Sequence, residues 1–109
     1  MDVRLKTFAA EALDRFAYLL TAGFNEPVID RVSAGRQTIT VPYQAPGRWV
    51  ETFLLLAYGG EEEVGTSLET TSGRQSFRPA TAQTGYQMRR ALDVQAKAVA
   101  AAIMEPRDD

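Results

Sequence analysis

Apolar residues recur at three- and four-residue spacing near both ends of the chain and at two-residue spacing between them, which predicts two helices bracketing a group of strands. From Val3 to Thr21 the stripe is Leu5, Phe8, Ala9, Ala12, Phe16, Leu19 and Leu20, with Lys6, Glu11 and Asp14 on other faces. Gly23 follows the last periodic residue, where a left-handed backbone closes a helix, and Phe24 can pack back on the final turn. Near the other end, Thr81 or Thr84 caps a helix whose stripe is Met88, Leu92, Ala96, Val99 and Ile103, ending before Pro106. The many alanines of this helix keep it narrow enough to lie close on a sheet.

In the middle of the chain the period drops to two. Ile39, Val41 and Tyr43 alternate with Thr38, Thr40 and Pro42, while Val64, Thr66, Leu68 and Thr70 form another alternating run and Val28 to Val32 a weaker one. Pro42 lacks the N–H that a ladder needs, which predicts an edge position or a strand end. Turn residues at Ser33 to Arg36, Ala45-Pro46-Gly47, Gly59-Gly60 and Ser72-Gly73 separate the runs. The expected fold class is α+β: an antiparallel β-meander of about four strands flanked by an N-terminal and a C-terminal helix. One domain is expected over residues 1–109, with 105–109 a frayed tail.

The segment from Trp49 to Tyr58 departs from simple alternation. As a strand it sets Trp49, Phe53, Leu55 and Ala57 on one face and Val50, Leu54, Leu56 and Tyr58 on the other, so both faces are apolar. A helix running from Pro46-Gly47 to Gly59 fits the same residues; the hairpin signal Tyr58-Gly59-Gly60-Glu61 favours the strand. A strand apolar on both faces needs cover on both. Either each helix takes one face, or both helices share one and a second copy of the chain takes the other. The expected interaction surface is Trp49, Leu54, Leu56 and Tyr58, with Tyr43 as neighbour, and the expected partner is a homodimer mate or another protein. Loop length after Tyr43 decides the register: an even loop sets Ile39, Val41 and Tyr43 against Val50, Thr52 and Leu54, and an odd loop sets them beside the other apolar face.

Composition removes several chemistries. The 109 residues include neither histidine nor cysteine, so the usual routes to proton shuttling at neutral pH, thiol catalysis and transition-metal binding are missing. A net charge of −2 gives no overall attraction to nucleic acid or anionic membranes. No run approaches the roughly 20 apolar residues of a membrane span, and Met1 to Lys6 leads into no signal-peptide core, so a cytoplasmic protein is expected.

Candidate sites remain few. Glu61, Glu62 and Glu63 cannot all face one ion from a strand, and no metal or cofactor is assigned. Glu51 and Glu69 are a carboxylate pair for neighbouring strands, but no base, nucleophile and orienting group occur together, so no catalytic residue is assigned. Arg31, Arg36 and Arg48 lie in one acid-free stretch, and Arg74, Arg78, Arg89 and Arg90 in another; these are the candidate contacts for an anion or nucleic acid. Loops at opposite ends of a meander do not converge, which weighs against nucleic acid.

The order helix, antiparallel strands, helix is similar to that of secretion-chaperone-like proteins and of immunity proteins encoded beside toxins, both of which act by stoichiometric binding. The likeness is one of element order and assigns no residue. The expected function is a non-enzymatic protein-interaction module; the alternative is a binder of small anions or other small ligands, or a histidine-free enzyme, with an Arg/Glu-lined cleft, and the second alternative is nucleic-acid binding through an arginine patch. Phe16→Ala tests the helix phase: a loss of about 3–5 kcal/mol in denaturant unfolding is expected if its ring lies in the core.

Overall fold

The computed structural model describes residues 3–33, 36–57 and 62–104. Its elements are α1 (Val3–Arg15), α2 (Tyr18–Thr21), β1 (Asp30–Ser33), β2 (Arg36–Ala45), β3 (Arg48–Ala57), β4 (Glu62–Thr70), β5 (Gly73–Thr81) and α3 (Gly85–Met104). The strands form one antiparallel sheet in the order β1-β2-β3-β4-β5, an α+β meander flanked by a helix at each end. Tyr58 and the tail 105–109 lie outside the described residues. Among the described residues no helix is long and apolar enough to cross a membrane.

Residues 48–57 are a strand, paired with β2 on one side and β4 on the other. The two-residue turn Pro46–Gly47 suits a hairpin, since proline presets its own φ and Gly47 takes a φ of 75° that other residues avoid. That even loop fixes the register: Tyr43 faces Val50, Val41 faces Thr52 and Ile39 faces Leu54.

Pro42 is not on an edge strand, yet its missing donor is harmless. The Asn25 N–H donates to Gln44 O at 2.8 Å, so Gln44, and by the two-residue alternation Pro42, point their backbone polar groups toward β1. The β1 ladder reaches only to Thr40, leaving Pro42 beside an interruption rather than beside an acceptor.

The N-terminal helix is broken where one continuous helix is expected. Leu19 N–H bonds to Phe16 O and Leu20 N–H to Ala17 O, three-residue steps that tighten the backbone between α1 and α2. Residues three apart eclipse in such a turn, which carries Phe16 and Leu19 together into the core and leaves Leu20 exposed. Gly23 closes the helix at φ 99°, and Phe24 N–H returns to Leu19 O at 3.0 Å, the six-residue closure that buries Phe24 on the last turn. At the other helix Thr84, not Thr81, is the cap. Its Oγ1 accepts from Gln87 N–H at 3.1 Å, while Gln87 Oε1 accepts in return from Gln83 and Thr84 N–H.

A fifth strand, β5, escapes the sequence reading because it is an edge strand with no apolar alternation: Arg74, Arg78 and Pro79 are exposed. Its only apolar contributions to the core are Phe77 and Ala80, which pair with Thr66 and Val64. An odd separation would send them to opposite faces of a regular strand. The extra residue of a bulge opposite Gly65 restores both to the covered face.

Both α1 and α3 pack on that face and on each other. The core holds Phe8, Ala12, Phe16 and Leu19 from the N-terminal helices, Ile39, Val41, Tyr43, Val50, Leu54, Val64 and Leu68 from the sheet, and Met88, Leu92, Ala96 and Val99 from α3. Phe16 sits 6.3 Å from the Tyr43 ring, centroid to centroid. Burial pushes the Tyr43 and Tyr18 phenols up to about 12. Tyr18 also donates to Ala96 O at 2.7 Å, and Arg15 bridges Glu11 of its own helix to Asp93 of α3, tying the two helical layers together.

One polar side chain lies on the apolar stripe of α3. Gln95 is 2% exposed; its amide nitrogen donates to Val64 O at 2.8 Å and Arg78 O at 3.4 Å, the carbonyls beside the bulge, and its oxygen accepts from the Thr66 hydroxyl at 2.6 Å. Thr66 spends its single proton on Gln95 and lies 2.9 Å from Thr52 Oγ1, which donates to Gly65 O at 3.1 Å. Among the described residues no buried side-chain polar atom is left without a partner. Gln95→Ala strands Val64 O and the Thr66 hydroxyl, and a loss of about 2–3 kcal/mol is expected in urea unfolding. A loss below about 0.5 kcal/mol would mean that water replaces the amide at no cost.

Candidate functional site

Strand alternation and the one-sided packing of the helices divide the sheet into a covered and an open face. Tyr43, Val50, Thr52, Leu54 and Val64 line the covered side. On the open side the register sets out five cross-strand rows: Gln44, Trp49, Glu69 and Arg74; Pro42, Glu51, Ser67 and Ser76; Thr40, Phe53 and Gly65, with the bulge residues Arg78 and Pro79 opposite Gly65; Thr38, Leu55, Glu63 and Thr81; and Arg36 with Ala57. The central strand therefore presents Trp49, Phe53 and Leu55 with no helix over them.

This corrects the sequence-derived surface. Tyr43 and Leu54 are buried beneath the helices, and Leu56 packs against the same core. Of the expected residues only Trp49, 39% exposed, is on the open face; Tyr58 lies outside the described residues. Both faces of β3 are apolar as the sequence says, but the face left open is the one carrying Phe53 and Leu55. Helix direction and loop geometry choose between the faces, and neither leaves a mark in the alternation itself.

Phe53 is held flat by a glycine. Gly65 pairs with Phe53 across β3 and β4, and a Cβ added there would come within 2.6 Å of Phe53 Cε1, so the ring lies over the bare backbone of β4. The glycine thereby gains cover that a side chain would otherwise provide. Around the aromatic row stand three carboxylates: Glu51 between Trp49 and Phe53 along β3, Glu69 beside Trp49, and Glu63 beside Leu55. None forms an ion pair among the described residues. Glu51 and Glu69 are diagonal neighbours, and no hydrogen-bonding group among the described residues orients either one. Arg74 donates to Ser67 Oγ at 3.3 Å.

Glu62 turns the other way from Glu63 and meets Arg4 of α1 at 3.0 Å, so the acidic run divides between the two faces. Among the described residues no cluster of carboxylates could hold a metal ion.

The candidate arginines do not assemble. Arg48 and Arg74 are at one end of the sheet; at ~3.3 Å per residue Arg36 is about 30 Å along the strands from them and Arg31, paired with Ile39, about 20 Å. Arg48 is committed locally: it donates to Ala22 O at 3.2 Å and its guanidinium lies 4.7 Å from the centre of the Phe24 ring, pinning the hairpin to the end of α2. Arg78, Arg89 and Arg90 are exposed on β5 and the first turns of α3. An open cleft of about 360 Å³ does lie between the β2–β3 and β4–β5 turns, lined by Gln44, Arg48, Trp49, Glu69, Thr70 and Thr71 among others. Its arginine is the one already bound to Ala22 and Phe24.

The chain matches no protein-family profile, no curated protein and no solved structure.

Gly65→Ala probes the open face directly. The new methyl must displace the Phe53 ring, so a stability loss of about 1–3 kcal/mol is expected, together with a changed ring environment at Phe53 in NMR spectra. Gly65→Ala combined with Phe53→Ala should recover part of the loss; equal stability of both variants would mean that ring and glycine are not coupled.

Proposed function

We propose that the protein is a non-enzymatic interaction module whose contact surface is the open face of the sheet, centred on Trp49, Phe53 and Leu55. One observation carries this reading: both helices lie on the same face, so the second apolar row of the central strand has no cover within the described chain. A central apolar strip with Thr38, Thr40, Gln44 and Ser67 at its margins has the composition of a protein contact, apolar at its middle and polar at its rim. The chemistry of the chain points the same way, since it has no histidine or cysteine to activate a substrate. A small-anion site in the hairpin cleft is the weaker reading, because Arg48 is already engaged.

Adjacent leucines on β3 supply the test. Leu55→Glu places a charge on the open face and should leave far-UV circular dichroism unchanged while abolishing binding of a hydrophobic dye, or self-association if sedimentation finds it. Leu54→Glu places the same charge under the helices and should unfold the chain. A wild type that stays monomeric at micromolar concentration, binds no dye and is indifferent to Leu55→Glu would overturn the proposal.

A further inference from the structure

We draw no further inference here: the strongest candidate, the open apolar face of the sheet around Trp49, Phe53 and Leu55 with the cleft at its Trp49 end, has Arg36, Arg74 and Arg78 as well as Glu51, Glu63 and Glu69 at its register positions, and nothing in the structure shows what covers it.

Discussion

A helix pair that prefers its own company constrains everything else in this protein. α1 and α3 touch each other as well as the sheet, with Arg15 bonded to Asp93 at 2.5 Å, Tyr18 bonded to Ala96 O, and Phe8, Ala12, Phe16, Leu92, Ala96 and Val99 in one core. Because that contact is satisfied on one side of the sheet, no helix among the described residues covers the other. The open face with Trp49, Phe53 and Leu55 is a direct result of where the two helices found their apolar partners.

Gln95 shows how the layers are kept in register. Apolar stripes alone allow a helix to slide along a sheet, since leucine and valine contacts are interchangeable. An amide that must reach Val64 O, Arg78 O and the Thr66 hydroxyl has one position at which all three are met. The bulge beside Gly65 supplies those carbonyls, turns Phe77 and Ala80 inward, and on the reverse side exposes the glycine backbone that Phe53 covers. One irregularity of β4 and β5 thus serves both the core and the candidate surface.

The charges follow a similar division. Arg4, Arg15 and Arg48 are drawn into structural contacts with Glu62, Asp93 and the end of α2, whereas Glu51, Glu63 and Glu69 on the open face have no such partner among the described residues.

The sequence by itself determined the elements whose signals are local. The stripe Met88, Leu92, Ala96 and Val99, the Gly23 closure and the Pro46–Gly47 turn depend on neighbours within a few residues, and each is visible in the chain, whereas the local signal narrows the cap only to Thr81 or Thr84. The apolar character of both faces of residues 49–57 was equally legible, but which face stays open was not, and Leu54 and Leu56 belong to the core while Phe53 and Leu55 do not. That choice, like the β5 strand with its bulge and the burial of Gln95, rests on contacts between residues far apart in sequence. Alternation states that two faces exist; only the path of the helices over the sheet decides which one is dry.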